Sequence, residues 1–293
     1  MPIAILGPTA SGKSALALAV ARRVGGPVVN GDPYQALAGL AIGTGQPGVE
    51  EQGGVPHVGY GVLPLSTRPN PAAFGELVRE WLGAHREPVL VTGSGLYLQG
   101  IWGQLSTLPD VPEVLVDRVR GWGARLGMPR LHRFLAAVDP VRARALHPND
   151  SARVQRALAL HLVTGRPPSE LLDGLGSGVP AGWRVLVVTP ERELRRKRII
   201  ARVAEQIRAG WPQEVARLLA EGHRPDLEAI RPLGYARWMA GGTTGAIATD
   251  IIRDTQAYAK RQATWFRNQL PTVATWDPDA EPLPVALQRL GLT

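Results

Sequence analysis

At 293 residues, the chain is too long for one small core and short enough for one domain carrying an insertion. The absence of cysteine excludes disulfides and thiolate zinc sites, and an apolar content of 44% is ordinary for a globular protein. A formal net charge of +8 points to a polyanionic partner, nucleic acid first, although an arginine-favouring genome would also raise the charge.

In chain order, Pro2 to Leu6 is a short apolar run that predicts a buried strand. Gly7-Pro8-Thr9-Ala10-Ser11-Gly12-Lys13-Ser14 fits G-x-x-x-x-G-K-[ST], and Ser14 to Arg23 reads as a helix. Strand, glycine loop and helix form the context a phosphate-binding P-loop requires. Its main-chain N–H groups and the helix N-terminus would cradle a di- or triphosphate. Lys13 would neutralise phosphate oxygens, and Ser14 would hold Mg²⁺. The loop does not by itself say that the ligand is a nucleotide.

Pro27 to Asn30 predicts a second parallel strand, ending near Asp32. In an open α/β sheet this puts Asp32 at the P-loop edge, where an acid can bind metal, act as a base or cap a turn. Residues 39–67 lack periodicity and predict irregular structure, with His57 in a structural role. Pro71 to His85 predicts a helix, Pro88 to Thr92 a strand, and Gly93-Ser94-Gly95 a close backbone turn. From Asp110 the strands stop. Glu113 to Leu126, Leu131 to Val138 and Asn149 to Thr164 read as helices, and Gly174 to Gly182 as a Gly/Pro-rich return. Asp150 can cap the helix that carries Arg153 and Arg156 on one face. Trp183 to Val188 restores a strand, followed by a helix over Arg192 to Arg208 with a basic stripe at Arg195, Arg198 and Arg202. Gln213 to Ala220 and Asp250 to Asn268 are further helices. The last carries aromatic and basic residues that suit either nucleic acid or an ordinary amphipathic helix.

These spacings predict a P-loop NTPase-like α/β parallel sheet, flanked by helices, from residues 1–109 and 183–293. An all-helical insertion would occupy 110–182. No stretch approaches the ~20 apolar residues of a membrane span, and the opening run is too short for a secretory signal, so a soluble cytoplasmic protein is expected. No surplus apolar face is obvious, so a monomer is expected.

Several segments together resemble the tRNA dimethylallyltransferases, also called tRNA isopentenyltransferases. They include the P-loop with its Pro8-Thr9-Ala10, then Asp32, Gln35, Gly39 and Ile42-Gly43-Thr44, then Val55-Pro56-His57 and Gly95-Leu96-Tyr97. They continue through Leu105 to Pro109, His147 to Asp150 with Arg153 and Arg156, Thr164-Gly165, Gly234-Tyr235, and Ala259 to Gln262 with Thr264, Trp265 and Arg267. The ordered set spans about residues 3 to 268. Departures from the pattern fall at Pro33, Leu37, Ala41, Gln46, Val58 to Gly61, Ser94 and Leu115.

The resemblance implies transfer of a dimethylallyl group from dimethylallyl diphosphate to N6 of the adenosine 3′ to the anticodon. Asp32 would be the general base, with Thr9 and Lys13 at the reacting centre. The diphosphate would lie on Gly7 to Ser14, with Arg198 and Arg202 adding diphosphate or tRNA contacts. The tRNA anticodon stem-loop would meet Asp32, Pro33, Tyr34, Gln35, Ser94, Ala152, Arg153, Val154, Gln155 and Arg156. It would also meet Arg231, Gly234, Tyr235, Lys260, Arg261, Gln262 and Arg267, with the insertion clasping the arm. Two alternatives stay open: a P-loop kinase or NTPase, which lacks a Walker-B-like acid after Val91, and a non-catalytic RNA-binding P-loop module.

Overall fold

The computed structural model describes residues 1–105, 108–172 and 178–292. Among the described residues six strands form one parallel sheet: β1 (Ile3–Leu6), β2 (Val28–Asn30), β3 (His57–Val58), β4 (Val89–Thr92), β5 (Arg184–Val188) and β6 (Thr275–Trp276), in the order β3-β2-β4-β1-β5-β6. β1 and β4 are buried at every position. That is why they read as continuous apolar runs rather than alternating ones: helices cover both sheet faces. Ile3 and Ile5 pack on one side with the helix Lys13–Val24 and the C-terminal helix Leu283–Arg289. Ala4 and Leu6 pack on the other with Phe74, Leu98 and Phe266. Because the strands are parallel, the turns after β1, β2 and β4 leave the sheet at one edge.

A third apolar cluster joins the helices Arg192–Arg208, Trp211–Ala220, Arg224–Ile230, Tyr235–Ala240 and Thr244–Gln269 around fully buried Leu37, Leu40, Ile251 and Tyr235. The described residues divide into two compact units: 1–104 with 177–293, and 105–176. Among the described residues, the regular structure of the second is all helical. Its helices Glu113–Leu126, Met128–Val138, Pro140–Ala145 and Ser151–Thr164 enclose their own core at Val119, Leu131, Leu135 and Val154. The chain leaves and re-enters the sheet unit side by side, since Gln104 Nε2 donates to Gly178 O at 2.7 Å.

Residues 39–67 depart from the irregular structure expected of them. Two one-turn helices, Ala41–Thr44 and Val49–Gln52, precede the edge strand β3, which holds His57. Strands this short leave no periodic trace. His57 Nδ1 lies 2.9 Å from Val55 O, a structural bond. β6 and the helix Leu283–Arg289 are additions to the expected elements, since two residues of strand carry no pattern. Of the expected return over Gly174 to Gly182, residues 174–177 lie outside the described residues, as do 106 and 107 of the Leu105 to Pro109 segment.

Candidate active site

Gly7 follows β1 with φ 150°, and Gly12 caps the next helix with φ 89°. The space at Gly7 is closed to a side chain: a Cβ there would lie 2.6 Å from Val188 O. No side chain caps the helix Lys13–Val24, so its first-turn amides remain available to an anion. Lys13 Nζ donates to Pro8 O at 3.3 Å, folding the ammonium back over the loop.

Asp32 stands just past β2 and caps the short helix Pro33–Ala36, its Oδ1 accepting from Tyr34 N at 3.0 Å. Fully buried Asn30 fixes the turn. Its Oδ1 accepts from Asp32 N, and its Nδ2 donates to Asp32 O and to Gly59 O, all at 2.8 Å. Thr92 Oγ1 donates to Gly31 O at 2.8 Å and ties the end of β4 to the same turn.

These turns open on one cavity of about 310 Å³. Thr9, Lys13, Ser14 and Asp32 line it, with Tyr34, Gln35, Arg202, Arg231, Tyr258 and Gln262. A second cavity of about 810 Å³ adjoins the first and shares Ser14, Gln35, Gly45 and Arg202 with it. Gly45 belongs to a wall of backbone between the two. Glu214 accepts from Ile42 N at 2.7 Å and Gly43 N at 3.1 Å, and Gln206 Nε2 donates to Ile42 O at 2.8 Å and Gly43 O at 3.1 Å. Gln35 Nε2 donates to Thr44 O at 3.0 Å and Gly45 O at 2.9 Å, and Arg202 Nη2 donates to Thr44 O at 3.1 Å.

Desolvation in the cavity raises the Asp32 carboxyl above its ordinary value, opposed by the Tyr34 and Gln35 amides and by the charges of Lys13 and Arg202. Burial, then repulsion from Arg202, lowers Lys13 to about 8, with Asp32 opposing. Burial also lowers Arg202, against Asp32 and Glu51. An acid and two cations thus share one poorly hydrated space.

Of the other residues expected at the site, Arg198 does not line the cavity; its guanidinium pairs with Asp279. Ser94, Gly234, Lys260, Arg261 and Arg267 also lie off the cavity wall, the last three exposed on the helix Thr244–Gln269. Pro33 is buried at the first position of the helix Pro33–Ala36. Ala152, Arg153, Gln155 and Arg156 belong to the helical unit, with Arg153 and Arg156 exposed and Asp150 capping their helix.

Two expected tRNA contacts are corrected. Val154 is fully buried in the core of the helical unit. Tyr235 is fully buried, and its hydroxyl donates to Glu214 Oε1 at 2.6 Å. Gln262 stays on the cavity wall, buried, with its amide bonded to the P-loop. Sequence reasoning misses Gln206, Glu214 and Asn30, because their contacts join segments far apart in the chain. The i, i+4 spacing of Arg202 and Gln206 is the available signal for one of them.

The family model described as "IPP transferase" matches residues 35–269, and the one described as "Isopentenyl transferase" matches residues 2–58. The chain belongs to the IPP transferase family. Curated members similar to it include the tRNA dimethylallyltransferase of Rhodospirillum centenum, 40% identical over 288 residues, covering 94% of this chain and 92% of that protein. The protein of the same name from Geobacter metallireducens is 38% identical over 279 residues, covering 90% and 89%. A crystal structure of the tRNA delta(2)-isopentenylpyrophosphate transferase of Staphylococcus epidermidis aligns with a TM-score of 0.68 at 26% identity, over 99% of this chain and 97% of that one. A eukaryotic dimethylallyltransferase acting on tRNA shares the fold, with a TM-score of 0.75 at 22% identity, over 97% and 77%. The match over residues 2–58 takes in the P-loop and the Asp32 turn, and the match over 35–269 takes in the helix Thr244–Gln269, which together border the cavity of this IPP transferase.

Proposed function

We propose that this chain transfers a dimethylallyl group from dimethylallyl diphosphate to N6 of the adenosine 3′-adjacent to the anticodon in tRNA, releasing diphosphate. The observation that carries it is the joint presence of Lys13, Ser14, Thr9 and Asp32 on one cavity wall. The diphosphate rests on the open amides of the P-loop, against Lys13 and Arg202. An anticodon loop offers single-stranded bases that can leave their stack, and the target adenine enters past Tyr34, Arg231 and Tyr258.

An exocyclic adenine amine is a weak nucleophile, because its lone pair is delocalised into the ring. Attack of N6 on C1 of the allylic group forms the C–N bond as the C1–O bond breaks, and the N6 proton passes to Asp32. A carboxylate of raised pKa is a better proton acceptor than an ordinary one. Lys13 and Arg202 face the charge that gathers on the departing diphosphate, where low hydration strengthens their pull. Thr9 flanks the reacting centre.

The donor set also fits Mg²⁺. Ser14 brings a hydroxyl, a hard oxygen donor, to the cavity beside the P-loop. This suits an ion held largely by diphosphate oxygens and water, which would neutralise the leaving group. For RNA, exposed Lys260, Arg261 and Arg267 on one helix, and Arg153 and Arg156 in the helical unit, supply phosphate contacts. No described helix is long and apolar enough to cross a membrane; we place the enzyme in the cytoplasm as a monomer.

The test mixes the protein, dimethylallyl diphosphate, Mg²⁺ and unmodified tRNA without ATP. A mass gain of one dimethylallyl group on the RNA supports the transferase. ATP consumption without an RNA adduct would identify a kinase, and RNA binding without either reaction a binding module.

A further inference from the structure

The buried stripe of the helix Thr244–Gln269 runs through Ala259, Gln262 and Phe266, at spacings of three and four. Gln262 is the polar member. It is 6% exposed, and an amide in that position is costly unless its hydrogen bonds are met. Both ends are met by main chain. Oε1 accepts from Thr9 N at 2.9 Å, and Nε2 donates to Gly93 O at 2.8 Å. The same amide therefore spans the P-loop after β1 and the turn after β4. The fit is close: a Cβ on Gly93 would lie 2.7 Å from Gln262 Nε2 and 3.1 Å from Gly7 O.

We propose that Gln262 is a positioning residue that fixes the Thr9 end of the phosphate loop and so sets the grip on the diphosphate. With the Thr9 amide committed to Gln262 and the Ser11 amide bonded to Pro8 O at 3.3 Å, the loop is fixed in one shape, and its other amides are the ones left to grip a ligand. Lys260 and Arg261, two and one residues away, stay exposed, so the helix can meet RNA on one side and hold the loop on the other. The proposal rests on the transferase reading for its substrate, and its test includes an arm that does not.

The full-length protein is made as Gln262→Met, which keeps the chain length and loses the amide. A second variant, Gln262→Glu, keeps the acceptor for Thr9 N, sets an oxygen against Gly93 O and adds negative charge. Pyrophosphate binding is measured by calorimetry, tRNA binding by filter retention, and kcat and KM with dimethylallyl diphosphate, each beside a melting curve. Gln262→Met should weaken pyrophosphate binding roughly tenfold and raise the donor KM, with tRNA affinity unchanged, as expected when two buried hydrogen bonds are removed. Gln262→Glu should bind pyrophosphate more weakly still. Weakened tRNA binding with unchanged pyrophosphate binding would overturn the proposal, as would a lowered melting temperature with both affinities intact. If the wild-type protein binds pyrophosphate but transfers no prenyl group, the transferase reading fails, and the pyrophosphate arm still decides the role of Gln262.

Discussion

Lys13 and Asp32 carry opposite charges in one cavity, and burial disfavours the charged form of each, which makes Asp32 a stronger base and limits the pH range in which Lys13 holds its charge. The Asp32 carboxyl is raised, so it holds a proton more readily than a solvated aspartate and must be ionised to accept one. Lys13, lowered to about 8, is an ammonium below that pH and loses its charge above it. Activity at low donor concentration should therefore fall toward acid and toward alkaline pH. The acid limb marks protonation of Asp32, and the alkaline limb, near pH 8 in the free enzyme, marks loss of the Lys13 charge. Lys13→Arg keeps the charge at all accessible pH, so the alkaline limb of kcat/KM should move up by roughly one pH unit or more while the acid limb stays. A profile in which both limbs ignore this change would remove Lys13 from the pH response. Asp32→Asn should lower kcat by about 10²–10⁴ with tRNA still bound, read by single-turnover kinetics and filter retention. Near-normal turnover would assign the proton elsewhere.

Among the elements, the wall between the two cavities shows how a sheet-edge site is stiffened. The segment Ile42 to Gly45 has no long helix or strand to hold it. Its main-chain groups are met by the side chains of Glu214, Gln206, Gln35 and Arg202. Gly43 has no room for a side chain, since a Cβ there would sit 2.2 Å from Trp211 Nε1. Glu214→Ala would leave Ile42 N, Gly43 N and the Tyr235 hydroxyl without their acceptor. The expected destabilisation is on the order of 3 kcal/mol, measured by urea denaturation. Pyrophosphate binding should weaken with it, because Arg202 leans on Thr44 of that wall; an unchanged midpoint would show that water replaces the carboxylate. This wall also marks the limit of what the sequence makes legible. The P-loop, the Asp32 turn, the four longer strands and the helix Arg192–Arg208 can be read because each rests on local spacing. Glu214, Gln206 and Asn30 cannot, since their partners lie on other segments and nothing local separates them from solvated residues. Gln262 and Tyr235 are visible as motif members, but which way a helix face turns is decided by packing.

At the scale of the whole molecule, the charge and the two units divide the work that the proposed reaction demands. The sheet unit holds the cavity and all of its lining residues, while the helical unit has a separate apolar core and exposed Arg153 and Arg156. The hydrogen bond from Gln104 to Gly178 brings the two crossings of the chain within one side chain's reach, so residues 105–176 can be replaced by a short Gly/Ser link without stretching the sheet unit. Such a deletion should leave pyrophosphate affinity within about threefold of the intact protein, because no lining residue is removed. Affinity for tRNA should fall and its salt dependence flatten, by about 0.7–0.9 in the log–log slope for each RNA phosphate that the shortened protein no longer neutralises. If the deleted protein binds tRNA with an unchanged slope, the RNA surface lies wholly on the sheet unit, and Lys260, Arg261 and Arg267 must carry it. If pyrophosphate affinity collapses as well, the P-loop depends on the helical unit for its shape, which its own hydrogen bonds give no reason to expect.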